Sequence, residues 1–239
     1  MVNSNMTETE LLKNLQLLDT SIDDLENRLQ EIESAINDDS EVVEADNIHK
    51  AVCLKFDSLS SNRRSLERSV SDLIERQSSI NRRMYDGTIQ NEKELAALQE
   101  ESQLLSQKIS ESEDELLETM DEHERYERGV EKATLNLENK KTQRMKSLDS
   151  LRIEKQKKNN TLAKTLPSRD SIRIKCNPKS LNSYDRLRKS KGGLALSTME
   201  SDLCSACKVT IPSQLLQKLK SGETFVHCNS CQRILYLDD

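Results

Sequence analysis

The run LLKNLQLLDTSIDDLENRLQEIESAI, residues 11–36, decides the fold. Leu11, Leu15, Leu18, Ile22, Leu25, Leu29, Ile32 and Ile36 alternate four and three residues apart. That is a heptad seam, and it predicts a helix packed lengthwise on another helix. A helix lying on a globular core would carry a wider apolar stripe. Composition agrees. Charged residues make up 33% of the chain and aromatics 3%, with no Trp, five Gly and three Pro. This is the profile of long helices with narrow seams, not of one large core.

Moving outward, the pattern slips at Asp38-Asp39-Ser40, three poor helix formers in a row, where a kink is expected. It resumes through Ile48, Val52, Phe56, Leu59, Leu66, Val70, Leu73, Ile80 and Met84, with Arg63 and Gln77 as polar seam positions. Tyr85-Asp86-Gly87-Thr88 then marks a turn, because glycine accepts positive φ. Asn91 is placed to cap the next helix, with Glu94 completing a capping box. A second seam follows: Leu95, Leu98, Leu105, Ile109, Leu116, Met120, Val130, Leu137, Leu148, Leu151 and Leu162. Ser102, Ser112 and His123 fill polar slots in it. With no second ligand one helical turn away, His123 reads as a seam residue and not a metal ligand. Proline is expected to end this arm at Leu166-Pro167. Two equal arms about one turn give a mainly α fold. Residues 1–168 form a long antiparallel coiled-coil hairpin with its tip near 85–91, and residue i faces roughly residue 175 − i.

Charge follows this pairing. Residues 140–165 carry nine Lys/Arg against two Asp/Glu, while residues 10–35 carry seven Asp/Glu against two Lys/Arg. Opposite signs across the flanks of a seam set pairing and orientation. The basic run is therefore read first as the complement of the acidic arm. Residues 169–198 differ. This connector holds Arg169, Arg173, Lys175, Lys179, Arg186, Arg188, Lys189 and Lys191 against Asp170 and Asp185, with no acidic arm segment expected opposite. A short helix is expected over Leu181 to Lys189, begun after Pro178 and ended by Gly192-Gly193, with a strand at Leu194-Ala195-Leu196. These eight cations are the candidate binding surface for nucleic acid or an acidic partner.

Residues 199–239 contain Cys204-Ser205-Ala206-Cys207 and, twenty residues later, Cys228-Asn229-Ser230-Cys231. Thiolates three positions apart on a tight turn point at one ion, and two such turns make the four-sulfur shell that Zn²⁺ prefers. Cys204, Cys207, Cys228 and Cys231 are the predicted ligands of one structural Zn²⁺. A redox dithiol fits less well, since a thioredoxin-type motif occurs once beside a strand–helix unit. His227 adjoins Cys228, but four thiolates already fill the shell. Between the knuckles a strand at Val209-Thr210-Ile211 and a helix Gln214 to Lys220, capped by Ser213 and ended by Gly222, are expected. Thr224 to His227 lead into the second knuckle, and Arg233 to Leu237 leave it as a final strand. Cys53 and Cys176 remain as isolated thiols, which suits a reducing cytoplasm. Met1 to Glu10 has neither a basic nor an apolar leader region, and no run approaches the apolar length that spans a membrane.

An enzyme is disfavoured. A catalytic zinc keeps an open position, and the chain shows no nucleophile triad, glycine-rich phosphate loop or paired-carboxylate pocket. No small-molecule substrate is expected. Two classes remain: a non-enzymatic adaptor for protein partners, and a nucleic-acid binder using the connector and ribbon. The net charge of −6 weighs against general nucleic-acid binding. Polar seam slots are also compatible with further helices packing alongside, as in a homodimer.

Two stretches carry a family resemblance. Met84-Tyr85-Asp86-Gly87-Thr88-Ile89-Gln90-Asn91-Glu92-Lys93-Glu94-Leu95 is similar to a hairpin-tip motif of the form Y-x-G-x-hydrophobic-x-N-x-K-E-L. The block from Tyr184 through Gly193-Leu194-Ala195, Ile211-Pro212 and Cys231 to Arg233-Ile234-Leu235-Tyr236 is similar to that family's ribbon. The chain thus resembles the bacterial C4-type zinc ribbon proteins with a long coiled-coil hairpin. The resemblance implies a non-enzymatic adaptor, in some members tied to transcription or to flagellar or secretion machinery, and in some to RNA. One departure is Gln232, where the family pattern leads us to expect Gly. A non-glycine residue there costs on the order of 1 kcal/mol if φ is positive.

Overall fold

A computed structural model describes residues 6–87, 89–221 and 225–237. The elements, in order, are α1 (Glu8–Asn37), α2 (Ser40–Tyr85), α3 (Glu92–Arg173), α4 (Pro178–Ser190), β1 (Leu196–Ser197), β2 (Met199–Glu200), β3 (Leu203–Cys204), α5 (Ser213–Lys220) and β4 (Ile234–Leu235). The chain divides into two compact units, residues 39–147 and residues 1–38 with 148–239. No helix among the described residues is long and apolar enough to cross a membrane.

In the first unit α2 runs antiparallel to α3 around a turn in which Gly87 takes φ 76°. Asn91 caps α3 by accepting from the Lys93 N–H at 3.0 Å. Glu94 does not complete a box and lies 3.6 Å from Arg83 across the turn. The seam obeys heptad phase more strictly than apolarity. Ile48 is 50% exposed and half-buried His49 takes its slot, four residues after buried Ala45 and three before Val52. Met120 is 39% exposed and Thr119, three residues after Leu116 and four before His123, is buried instead. His123 is a seam residue. Its Nε2 lies 3.0 Å from the Ser60 hydroxyl, and its ring packs against Phe56 with centroids 4.6 Å apart and planes tilted by 39°.

In the second unit Thr7 and Glu10 form a capping box that starts α1, and the helix stops at the extended Asp38. The kink expected at Asp38-Asp39-Ser40 is thus a helix break, with α2 restarting at Ser40. All eight seam residues of α1 are buried or half-buried, but Leu12, outside the seam, is fully buried too. With Leu15 it enters a core made by Cys176, Tyr184, Leu187, Ala195, Leu196 and Ile234. The start of α1 therefore serves two faces, the seam and a docking face for α4 and the ribbon.

Pro167 does not end α3, which continues to Arg173. The missing N–H leaves the exposed turn at Ala163 without its donor, while Ser168 and Ser171 hydroxyls bond the Lys164 and Pro167 carbonyls. A connector counted from residue 169 therefore begins inside a helix. Register also differs from 175 − i. Glu33 pairs with Lys155, whereas the rule puts residue 142 opposite.

α4 starts at Pro178 under the Asn177 cap, and Gly192 and Gly193 end it at φ 66° and 89°. Arg233 donates to the carbonyls of Leu194 (2.8 Å) and Lys191 (3.0 Å), tying this end to the ribbon. β1 pairs parallel with β4, Leu196 opposite Ile234, and β2 pairs antiparallel with β3. The first strand is thus shifted from Leu194–Leu196, and the expected strand at 209–211 shrinks to one bridge, Leu203 to Thr210. Pro212, not Ser213, sits at the cap of α5, without a side-chain bond. The expected helix end at Gly222, the turn residue Thr88 and the approach residue Thr224 lie outside the described residues.

Candidate metal centre and its basic flank

The two knuckles repeat one geometry. In the first, the Cys204 N–H donates to the Val209 carbonyl and the Lys208 N–H to the Cys204 carbonyl, at 3.0 and 2.8 Å. In the second, the Cys228 N–H donates to the Arg233 carbonyl and the Gln232 N–H to the Cys228 carbonyl, at 2.9 and 3.0 Å. Closing each turn requires a left-handed residue just after the second cysteine, and Lys208 (φ 57°) and Gln232 (φ 65°) supply it. This is the strain anticipated at Gln232, and Lys208 carries the same.

The turns bring Cys204, Cys207, Cys228 and Cys231 together with all four sulfurs within 4.8 Å of one another. Cys204 and Cys231 sulfurs are 3.8 Å apart, as are those of Cys207 and Cys228. A tetrahedron with Zn–S bonds of about 2.3 Å has edges of about 3.8 Å, whereas a disulfide needs about 2.05 Å. The donor set therefore fits one Zn²⁺ and closes its shell. Three of the four cysteines are buried, in a small core with Ile211, Leu219, Val226 and Leu235. Adjacent β4 residues serve two cores, Ile234 that of α1 and α4, Leu235 that of the zinc site.

Electrostatics distinguish the thiols. Burial pushes Cys204 up, but the Ser197 hydroxyl and the N–H groups of Cys207 and Ala206 outweigh it and bring the thiol down to about 6. Burial dominates at Cys228 and pushes it up to about 11. At Cys231 burial is outweighed by the Arg233 N–H and side chain, and the thiol is lowered. His227 stays off the shell, its Nδ1 3.0 Å from the Gln232 carbonyl oxygen.

The eight connector cations divide into two sets. Arg169 reaches Asp19 at 2.7 Å and Asp170 at 3.4 Å, Arg173 forks Asp185 at 2.9 and 2.7 Å, and Arg188 binds Asp23 at 2.5 Å and approaches Asp19 at 3.5 Å. Acidic α1 does lie opposite the connector, contrary to expectation. Three arginines are consumed internally. Lys175, Lys179, Arg186, Lys189 and Lys191 enter no ion pair among the described residues. Lys179, Asn182, Arg186 and Lys189 are exposed at one helical spacing on the side of α4 away from buried Ser180, Tyr184 and Leu187. The basic run of α3 is likewise partly consumed. Lys155 pairs with Glu33, and Arg144 and Lys140 pair with Asp39 and Glu41 at 2.6 and 2.7 Å.

Two family models match. Residues 15–192 fit the CT398-like coiled coil hairpin domain, and residues 203–235 fit a C4-type zinc ribbon domain. No curated protein matches the chain. Among solved structures, CT398 from Chlamydia trachomatis is similar at 18% identity and TM-score 0.62, over 97% of this chain and 99% of that one. A protein from Mycobacterium smegmatis is similar at 16% identity and TM-score 0.61, over 95% and 97%. The HP0958 protein of Helicobacter pylori is similar at 18% identity and TM-score 0.56, over 97% of each chain. At these identities the likeness shows the fold.

Proposed function

We propose that this chain, which belongs to the family of CT398-like coiled coil hairpin proteins with a C4-type zinc ribbon, is a non-enzymatic cytoplasmic adaptor that binds an acidic protein partner. One observation carries the reading: after internal pairing removes three arginines, three of the five cations left on the connector, Lys179, Arg186 and Lys189, form an outward stripe on α4. The closed four-thiolate shell supports a structural role for the metal, because no coordination position is left for substrate or water. Zinc gives the ribbon the shape that a module of this size cannot hold with its own core.

The test is co-purification from native cytoplasm with the full chain, wild type beside K179E/R186E/K189E. Proteins held by the wild type and lost with the triple variant support the reading. Identical captured sets would sink it. The same stripe favours a second reading, nucleic-acid binding through phosphate contacts. That reading expects RNA or DNA affinity that falls steeply with salt and is lost in the triple variant. An absence of binding at low salt removes it.

A further inference from the structure

We infer that Ser197 is an outer-sphere positioning residue of the zinc centre, its hydroxyl donating to the Cys204 thiolate and linking the metal shell through β1 to α1. Ser197 is 4% exposed, and four polar groups surround its hydroxyl oxygen and its single proton. It lies 3.2 Å from Cys204 Sγ, 3.2 Å from the Thr198 carbonyl oxygen, 2.8 Å from Ser205 Oγ, and 3.1 Å from the Ala206 N–H, which can only donate. The Ser205 N–H donates to the Thr198 carbonyl at 3.0 Å, so that carbonyl already has a partner.

The proton can therefore be placed. The Ala206 N–H fills one lone pair of the Ser197 oxygen, and the Ser205 hydroxyl, which can turn to donate or to accept, is free to fill the other. The Ser197 O–H then has three acceptors in reach: the neutral Ser205 oxygen, a neutral carbonyl already bonded, and a sulfur that is a thiolate when zinc is held. A bond to an ionised acceptor is the stronger, so the proton goes to Cys204. Outer-sphere donors of this kind fix a ligand's orientation and tune its donation to the metal.

The other side of β1 leads to α1. The Gln16 side-chain amide behaves as an extra strand. Its Oε1 accepts from the N–H groups of Ala195 (2.7 Å) and Leu196 (2.6 Å), and its Nε2 donates to the Leu196 carbonyl at 3.3 Å. Ser197 follows directly, so α1, β1 and Cys204 form one hydrogen-bonded chain. Neither Gln16 nor Ser197 carries a motif in the sequence.

The experiment uses the full chain with Ser197→Thr and Ser197→Val, which share a shape and differ in the hydroxyl. Zinc affinity is read by competition with a chromophoric chelator. Cobalt(II), which takes tetrahedral thiolate sites, is read by its sulfur-to-metal charge-transfer band. The Val variant should bind zinc at least ~10-fold more weakly than the Thr variant, and its cobalt band should move to lower energy, as expected when a thiolate loses a donor. Affinities within two-fold of one another, or a weakened affinity with an unchanged cobalt band, would overturn the assignment to the thiolate. Gln16→Ala tests the link to α1: it should weaken zinc binding several-fold with the cobalt band in place, and an unchanged affinity would overturn that link.

Discussion

The Tyr184 hydroxyl donates a 2.7 Å hydrogen bond to the Asp19 carboxylate, and both side chains are withdrawn from solvent. Asp19 is the node of the base of the hairpin, since Arg169 and Arg188 approach the same carboxylate. Removing it takes the acceptor from the buried Tyr184 hydroxyl and the buried one of two carboxylates from each guanidinium, leaving Arg169 with exposed Asp170 and Arg188 with Asp23. Asp19→Ala should therefore cost about 3–5 kcal/mol in urea unfolding. Tyr184→Phe should cost about 1–2 kcal/mol, one buried hydrogen bond. Asp170→Ala, an exposed partner of the same Arg169, should change stability by less than about 0.5 kcal/mol.

The same pair sets an alkaline limit. Burial, then the Asp19 acceptor, push the Tyr184 phenol well above its ordinary value. The folded protein thus holds a proton that the unfolded chain releases near pH 10. The stabilisation is complete below about pH 10 and declines as pH rises beyond it. Unfolding midpoints of wild type and Tyr184→Phe should fall with different slopes above pH 10, the wild type more steeply. Parallel slopes would mean that Tyr184 is not the linked group.

Heptad runs and CxxC pairs were legible because each is a local pattern: periodicity reports helix pairing and spacing reports ligand convergence. What escaped is set by partners far along the chain. Asp19 sits between seam residues and looks like another acidic helix surface position. Only Arg169 and Tyr184, 150 and 165 residues away, make it a buried node. Ile48 and Met120 failed for another reason. Both are apolar but out of heptad phase, and two antiparallel helices in contact follow phase even where it delivers His49 and Thr119. Ser197 had no signal at all, since its role depends on where β1 crosses the knuckle.

Pro167 offers a stabilising substitution. It interrupts a helix that continues for six more residues, and the unbonded turn faces water. Pro167→Ala should restore the N–H to the Ala163 carbonyl and raise stability by about 1–3 kcal/mol. A variant no more stable than wild type in urea would show that the Ser168 and Ser171 hydroxyl bonds already offset the loss.

Thiol chemistry separates the six cysteines. Zinc shields Cys204, Cys207, Cys228 and Cys231, while Cys176 is buried and its thiol is pushed up by that burial. Half-buried Cys53 is left as the one fast-reacting thiol of the zinc-loaded chain at pH 8. Titration with an aromatic disulfide should show one fast equivalent, abolished in Cys53→Ser, and four more after chelator is added. A fast phase that survives Cys53→Ser would contradict this.

The knuckle residues Lys208 and Gln232 hold φ 57° and 65° while their N–H groups close the turns on Cys204 and Cys228. A side chain bearing Cβ costs about 1–2 kcal/mol in that region, and glycine avoids most of it at some cost in unfolded-state entropy. Gln232→Gly should therefore tighten zinc binding by up to ~5-fold, about 1 kcal/mol. Lys208→Gly should tighten it less, because it also removes the 2.7 Å ion pair between Lys208 and Glu200 that spans the first knuckle. Chelator competition on the two variants ranks them. If both weaken zinc binding, the left-handed turns are stabilised by their side chains and not strained by them.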